Sequence, residues 1–480
     1  MKPENKFAVA EIYALAFGLF LGLVFWKFGD PVILDHKIIT PSTFSDFWND
    51  AWPPHWVAWI FLPFALVGAL VALKQNIRWG ERPSKPGRGD IRPAKKTNWL
   101  WVLPLVWFGW QLISATQTVD ADLTAATLWQ FFGCIACYFL GALALSRETA
   151  LRWLLVGVLA AFAFCLIRAV DQRLVEFPQS HQMLVEGERV GWTNVPPAML
   201  LEMKQEHTVI TTNGVDVANP AVLAKFAKGR VMGTLVYPNA LAGAILLLLP
   251  LALTLAFGAK KLRPAIRAIV IALACFLGGA GFFWSGSKLG WLIAMALGGL
   301  YLFRLKWPTR LKIAALAAIA VLGFGIFAVR FHNYFAAGAT SMGARLDYWH
   351  AAVQTTASNP MVGTGPGTFQ RPYERIKSPD AEMARLAHND YLEQFSDSGI
   401  PGGVFYGAWI VLALATVGKR VWKTGNQIIF AIFIGLLGWF VQGLGEFSLY
   451  IPALAWPAFA LLGCSLALTG NQFDKNRAAG

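Results

Sequence analysis

Long apolar stretches alternate with polar segments along almost the whole chain. Several of these stretches reach the length of about 17 to 25 residues that a helix needs to cross a bilayer. The apolar stretches occupy 7–26, 56–73, 99–114, 124–145, 153–167, 241–257, 268–284, 289–303, 313–329, 402–417, 428–444 and 450–468. The pattern therefore predicts an all-α polytopic membrane protein with about twelve transmembrane helices.

Two polar segments are much longer than the other connectors and divide the chain into five parts. The parts are helices 1 to 5 (1–170), a first long loop (171–229), helices 6 to 9 (230–329), a second long loop (330–401), and helices 10 to 12 with a tail (402–480). A separate stretch, 78–96, is rich in glycine and basic residues, which is typical of a flexible linker. Long polar loops in membrane proteins commonly carry the chemistry.

The second long loop has recognisable local structure. Its periodicity predicts one helix over 343–358 and another from about residue 380 to 398. Three glycines between them predict a tight turn over 363–367, which serves either chain geometry or backbone contact with a phosphate or a sugar. The second helix would place His388 on the same packed face as Tyr391.

Charge distribution indicates the orientation of the chain. Hydrophobic residues make up 56% of the 480 positions, charged residues only 14%, and the formal net charge is +14. With Met1 inside, 25 of the 41 Lys and Arg residues fall in inner segments, among them 78–96. The positive-inside rule then places both termini in the cytoplasm and both long loops outside. Since topology accounts for the basic charge, no nucleic-acid partner is predicted.

Three cationic or titratable residues lie at the outer face in this topology. Arg230 and Lys288 are at the ends of predicted spans, where long cationic side chains often serve as interfacial anchors. The alternative is an anion site, which the net-acidic outer side favours because the topogenic rule requires no bases there. His388, in the second loop, is either a partly buried, hydrogen-bonded histidine or a general base.

Two further charged residues at outer span ends raise the same question. Glu446 follows the eleventh span and Arg168 ends the fifth, and an ionisable group in such a place is a functional candidate. For Arg168 the alternative is a simple ion pair with Asp171. The sequence contains no P-loop, no HExxH motif and no His/Cys cluster with metal-ligand spacing, so neither a cofactor nor a metal is predicted.

Short motifs follow one another in a characteristic order on the outer side. They are Gly229–Thr234 with Tyr237–Asn239, Ser285–Lys288, Arg345–Trp349, Asn359–Gly365, and His388–Leu392 leading to Gly399–Gly402. In this order the chain resembles the O-antigen ligase/polymerase family, bacterial inner-membrane proteins that transfer glycans from a polyprenyl-diphosphate carrier. The resemblance is best from residue 229 to 468, and the first five spans match in hydropathy only.

The resemblance implies roles for individual residues. One histidine of the large outer loop activates the acceptor and two arginines hold the carrier diphosphate, and these roles fall on His388, Arg230 and Lys288. Lys288 departs from the family's usual arginine and lacks the planar fork for bidentate phosphate binding. Five other residues are candidates for substrate binding or support: Asn239, Arg345, Asn389, Tyr391 and Glu446.

The resemblance also implies a reaction. The donor is a glycan on a polyprenyl (undecaprenyl) diphosphate, and the acceptor hydroxyl belongs to another glycan, a lipid A core or a protein; membrane lipid is the surrounding partner. Two fixed cations can neutralise the leaving diphosphate, so no metal is expected. A histidine that deprotonates the acceptor for attack from the opposite face implies inversion. Ligase, polymerase and protein-glycosylating activities stay open.

Two rival functions fit part of the pattern. A secondary transporter or lipid flippase would also have about twelve spans, but transporters place ionisable residues near the bilayer midplane in two related halves. Here the candidates lie in outer loops and no halves match. A glycosyltransferase with its catalytic acid in the first outer loop is the other rival, with Asp30 and Asp35 as candidates.

Overall fold

The computed structural model describes residues 9–80 and 99–479, so most of the predicted linker at 78–96 lies outside the described residues. The described chain forms these helices: α1 (Val9–Lys27), α2 (Phe44–Asn49), α3 (His55–Gly80), α4 (Trp99–Ala115), α5 (Ala121–Leu143), α6 (Glu148–Asp171), α7 (Phe177–Arg189), α8 (Pro197–Gln205), α9 (Pro220–Lys228), α10 (Pro238–Gly258), α11 (Pro264–Ser285), α12 (Lys288–Arg304), α13 (Thr309–Ala336), α14 (Thr340–Ser358), α15 (Gln370–Ile376), α16 (Asp390–Thr424), α17 (Gln427–Gln442) and α18 (Pro452–Ala479).

Each predicted apolar stretch falls on one helix, and α16 and α18 extend furthest beyond the predicted ends. Within the described ranges, nine helical segments are long and apolar enough to cross a membrane, and α4 and α17 are shorter apolar helices. The chain is therefore an all-α protein with several membrane-spanning helices. The total of twelve spans, the five-part division and the cytoplasmic position of the termini stay predictions.

Small residues bring the membrane helices into close contact. At Gly18 an added Cβ would lie 2.3 Å from the carbonyl oxygen of Leu154, so α1 and α6 pack almost backbone to backbone. The same holds for α5 against α18, where a Cβ on Gly463 would lie 2.0 Å from the carbonyl oxygen of Tyr138. Close approach of this kind provides the van der Waals contact that drives helix association in lipid.

A small folded unit occupies the first long loop. Two strands, β1 (Val209–Thr212) and β2 (Val215–Ala218), pair in antiparallel fashion with Val209 opposite Ala218. Together with α7, α8 and α9 they enclose a separate apolar core of Leu184, Trp192, Met203, Val209 and Ala218. This hairpin was not predicted. We call the end of the bundle that carries this unit and the second long loop the loop face.

The first half of the second long loop agrees with the prediction. Helix α14 begins at Thr340, three residues before the predicted start, and ends at Ser358 as expected.

Gly363, Gly365 and Gly367 have φ of 66°, 107° and 78°, so the predicted tight turn is confirmed. Their N–H groups donate to the carbonyl oxygen of Asn359 and to the carbonyl and carboxylate oxygens of Asp397. The turn therefore uses these three donors within the chain, which leaves none of them for a phosphate.

The predicted helix from residue 380 to 398 is wrong in its first half. The chain is not helical between 378 and 389, and α16 begins only at Asp390. Asn389 is the N-cap, because its side-chain oxygen accepts hydrogen bonds from the N–H groups of Tyr391 and Leu392. His388 therefore precedes the helix and does not share a helical face with Tyr391. The short helix α15 was not predicted.

Helix α16 changes direction at Gly399, which has φ of 70° and ψ of −178°. Its first two turns lie at the loop face and the remainder forms the long apolar span. The prediction that Gly399 ends a helix is correct locally, but the chain resumes helical geometry at once. A Cβ on Gly399 would lie 2.2 Å from the carbonyl oxygen of Met361. The backbone near Met361 therefore packs directly against the bend, and only glycine leaves room for it.

Candidate active site

Glu446, just beyond α17, occupies the centre of the loop face. It is 1% exposed, and a carboxylate so buried needs several donors. The hydroxyl of Tyr237 donates to its Oε2 at 2.9 Å. Nδ2 of Asn239 and Nη2 of Arg345 donate to its Oε1 at 2.7 and 2.6 Å. Three segments that are distant in sequence are thus joined at one carboxylate.

Arg230 is connected to this carboxylate through Asn239. Its Nη2 donates to the side-chain oxygen of Asn239 at 2.9 Å, and its Nε donates to the carbonyl oxygen of Ser285 at 2.8 Å. Burial lowers the pKa of Arg230 from its ordinary value; Glu446 opposes this decrease, and neighbouring cations add to it. An arginine has an ordinary pKa far above neutrality, so the guanidinium stays charged.

Lys288 is the first residue of α12 and lies over aromatic rings. Its Nζ is 3.8 Å from the ring centroid of Tyr334 and 5.3 Å from that of Phe331. Such a cation–π contact holds an ammonium group without neutralising it. Among the described residues Lys288 has no salt-bridge partner, so its charge is available to a ligand.

A fourth cation, Arg330, was not singled out in the sequence. It lies near the end of α13 with its Cζ 4.7 Å from the ring centroid of Phe283. It interacts electrostatically with both Arg230 and Lys288, as does Arg345. The signal was present, because Arg330 is also a base at the end of a predicted span. We call these four residues the cation cluster: Arg230, Lys288, Arg330 and Arg345.

His388 faces the same carboxylate from the other side. Its Nδ1 lies 3.6 Å from Oε2 of Glu446, longer than a hydrogen bond, and the atom is buried without a hydrogen-bond partner. The centroid of the imidazole lies 5.9 Å from the ring centroid of Tyr348 in a stacked arrangement. It lies 4.7 Å from the ring centroid of Phe447 in an edge-on arrangement. Since 28% of the side chain is exposed, the accessible part of the ring lies away from Nδ1.

The backbone holds His388 in an unusual conformation. Its φ is 51°, in the left-handed region that non-glycine residues rarely adopt. The preceding N–H, of Ala387, donates to the carboxylate of Glu393 at 3.0 Å. The N–H of Asp390 donates to the carbonyl oxygens of Gly443 and Glu446. Strain of this kind persists only where the surroundings impose it, and it is concentrated at functional sites.

A cleft of about 350 Å³ opens beside His388. Arg345, Tyr348 and Arg385 contribute to its walls, and so does Pro31 from the segment after α1. Arg345 also belongs to the cation cluster, so the cleft and the cluster meet at this residue. We refer to this space as the His388 cleft.

An apolar groove of about 820 Å³ lies among α10, α11, α12 and α17. Its walls include Ile245, Phe282 and Leu297. Phe282 is one helical turn from Ser285, whose carbonyl oxygen binds Arg230. The groove therefore begins within a turn of the cation cluster and extends along the membrane helices.

Comparison with known proteins shows a family similarity over part of the chain. Residues 271–407 match a family described as O-antigen ligase. The matched residues include Lys288, Arg330, Arg345 and His388, and the match supports the resemblance inferred from the motifs. No curated protein matches the chain.

The match supports an enzyme at a coarse level and favours this reading over the transporter hypothesis. Two of the predicted site residues are supporting elements of the structure. The side chain of Asn389 caps α16, and the hydroxyl of Tyr391 donates to the carbonyl oxygen of Phe440 at 3.1 Å, away from Glu446. Arg168 forms an ion pair with Asp171, which agrees with the structural alternative given for Arg168 in the sequence analysis.

Asp30 and Asp35, the acids that follow α1, are not among the described contacts of Glu446. The carboxylate of Asp35 contacts the backbone N–H and Nδ1 of His55 at 2.8 and 2.9 Å. Burial raises the pKa of Asp30 to about 6. Neither acid lines the His388 cleft. Within the described ranges, no group of three or more His, Cys, Asp or Glu side chains is arranged to hold a metal ion.

Proposed function

We propose that this protein transfers a glycan from a polyprenyl-diphosphate carrier to an acceptor hydroxyl at the periplasmic face of the bacterial inner membrane, with the loop face on the periplasmic side. One observation carries the proposal: Arg345 of the cation cluster pairs with a single buried carboxylate, Arg230 reaches it through Asn239, and an apolar groove and a cleft that contains a histidine adjoin the cluster. A lipid diphosphate combines the two properties, anion and apolar chain, that the cluster and the groove accept.

The cation cluster supplies the donor side of the reaction. Its four positive charges exceed the one negative charge of Glu446, and the excess suits a diphosphate whose charge grows as it leaves. Arg345 provides the planar fork that Lys288 lacks, so the clamp that we propose consists of Arg230 and Arg345, with Lys288 and Arg330 as further charges. Preorganised cations stabilise a leaving diphosphate without a divalent metal.

His388 supplies the acceptor side. We propose that the imidazole takes the proton of the acceptor hydroxyl while the hydroxyl oxygen bonds to the anomeric carbon. The bond from that carbon to the phosphate oxygen breaks, and the diphosphate leaves with the electron pair. Attack from the side opposite to the leaving group inverts the anomeric centre. Glu446, facing Nδ1, stabilises the imidazolium that forms.

The direct test uses the purified full-length protein in detergent with a polyprenyl-diphosphate-linked oligosaccharide. Lipid A core, an oligosaccharide repeat unit and a hydroxyl-bearing peptide are the acceptors compared. We expect one of them to receive the glycan in the presence of EDTA, with release of polyprenyl diphosphate. If EDTA abolishes transfer and Mg²⁺ or Mn²⁺ restores it, the cation clamp is wrong, and Asp30 and Asp35 become the better candidates.

The cation cluster can be tested by substitution. Arg230→Ala and Lys288→Ala should raise the KM for the diphosphate donor and lower transfer, with a loss of about 10²- to 10³-fold for Arg230, because each removes a preorganised charge. Lys288→Arg should be tolerated or improve transfer. Arg310→Ala, an exposed base at the opposite end of the bundle, is the matched control. Wild-type donor kinetics in both alanine variants would make these residues interfacial anchors.

The apolar groove can be blocked without disturbing helix packing. A Cβ at Gly279 would meet no atom within 4 Å, although Gly279 lines the groove. Gly279→Leu should therefore fold and should raise the KM for a long-chain donor about tenfold or more, because its side chain occupies space that the polyprenyl chain needs. Gly109→Leu is the matched control, since Gly109 has equally open surroundings on α4 and does not line the groove. Equal donor kinetics in the two variants would exclude the groove as the lipid site.

A further inference from the structure

Arg385 differs from the other cations at the loop face. It lines the His388 cleft three residues before His388. Its Nη1 atom is buried and has no hydrogen-bond partner, and no salt bridge to Arg385 occurs in the described part of the chain. A buried donor without a partner destabilises the folded protein, and a charged donor does so more strongly. The site therefore contains a cationic donor that the protein itself does not satisfy.

The other charges of the cleft do not account for Arg385. Arg345 is already paired with Glu446 at 2.6 Å. Glu382 is the one carboxylate in the lining, and its side chain forms no salt bridge with Arg385 within the described ranges. The guanidinium of Arg385 thus faces a cleft with room for a ligand, and among the described residues no carboxylate forms a salt bridge with it.

Arg385 is also separate from the donor side. Arg385 and His388 both line the His388 cleft, whereas Arg230, Lys288 and Arg330 do not line it. We therefore distinguish an anion bound by Arg385 from the diphosphate that we place at the cation cluster.

We propose that Arg385 binds an anionic group, a carboxylate or a phosphate, on the acceptor glycan next to the hydroxyl that His388 activates. This inference rests on the proposed function for the identity of the ligand as acceptor. The guanidinium fork matches either anion in a bidentate manner. A cleft of about 350 Å³ takes the terminal part of a glycan, and apolar walls such as Leu34 and Phe447 suit the faces of sugar rings.

The test measures binding of small probes, so it does not depend on transfer. Methyl glucoside, methyl glucuronide and glucose 6-phosphate are titrated against the purified full-length protein by ligand-observed NMR. We expect the wild type to bind an anionic probe about tenfold or more tightly than methyl glucoside, with the glucuronide and phosphate arms showing which anion is preferred. Arg385→Ala should bind the two anionic probes only as weakly as it binds methyl glucoside. Arg385→Lys should keep part of the preference for the anionic probes.

Two controls make the result decisive. Arg375→Ala removes an exposed arginine of the same loop and should leave the preference for anionic probes unchanged. Inorganic diphosphate should bind Arg385→Ala like the wild type and Arg230→Ala more weakly. The inference is overturned if Arg385→Ala keeps its preference for the anionic probes, if it loses methyl glucoside equally, or if it loses diphosphate as Arg230→Ala does. Selective binding without transfer to any acceptor would instead contradict the proposed function and leave the anion site in place.

Discussion

Replacement of His388 by alanine should lower kcat about 10²-fold or more while donor binding stays near that of the wild type. The ring lines the cleft in which we place the acceptor, and its Nδ1 faces the carboxylate of Glu446 at 3.6 Å. A base in this position acts mainly in the transition state, so its loss lowers kcat and not donor affinity. The measurement is steady-state transfer with separate variation of donor and acceptor.

Folding of the His388→Ala variant has to be established in the same experiment. Removing one partly buried histidine outside the helices costs roughly 1 kcal/mol, so the melting temperature should fall by only a few degrees. His350→Ala is the matched control, because His350 is exposed on α14 in the same loop. A folded His388→Ala variant with full activity would show that the histidine is structural and that another group takes the proton.

The parts of this fold that could be predicted from sequence are those that the bilayer dictates. A spanning helix must be long and apolar, so hydropathy alone locates helices such as α10 and α12 to within a few residues. The turn at 363–367 was predictable for a similar reason, since three glycines in five residues have few other uses. The positions of these elements in sequence follow from local constraints.

Other local features were readable and were missed. Asn213 and Gly214 lie between two short runs of β-branched residues and both have positive φ, which is the signature of a tight hairpin turn. Asn389 before Asp390 is a typical N-cap, and reading it would have placed His388 outside the helix. For the helix at 380–398, the periodicity of neighbouring residues outweighed a cap signal that was more specific.

The convergence at Glu446 could not be predicted from local sequence. Its partners come from the start of α10, from α14 and from the chain before α16, and only the packing of these elements brings them together. The same is true of Arg385, because a missing partner becomes visible only when all neighbours are placed. Family motifs gave the order of the site residues, whereas the structure gives the carboxylate that connects them.

Replacement of Glu446 should have the largest effect of any single change at the site. Glu446→Ala leaves Tyr237, Asn239 and Arg345 without their shared acceptor, and breaking a buried ion pair costs about 3 to 5 kcal/mol. We expect a loss near the lower end of this range, because the Arg345 side chain is 18% exposed. Chemical denaturation in detergent, followed by the fluorescence of the many tryptophans, measures it.

Glu446→Gln separates the role of charge from that of shape. The amide keeps the volume of the carboxylate, but its NH₂ group faces side chains that are themselves donors, and it cannot stabilise an imidazolium on His388. Donor KM should rise and kcat should fall about 10²-fold or more, whereas His388→Ala changes kcat alone. Glu382→Gln, which neutralises the carboxylate in the lining of the His388 cleft, should retain the donor KM of the wild type. If Glu446→Gln folds and keeps both the donor KM and the kcat of the wild type, then the carboxylate does not organise the two halves of the site, and Arg230, Arg345 and His388 must be positioned by their backbones alone.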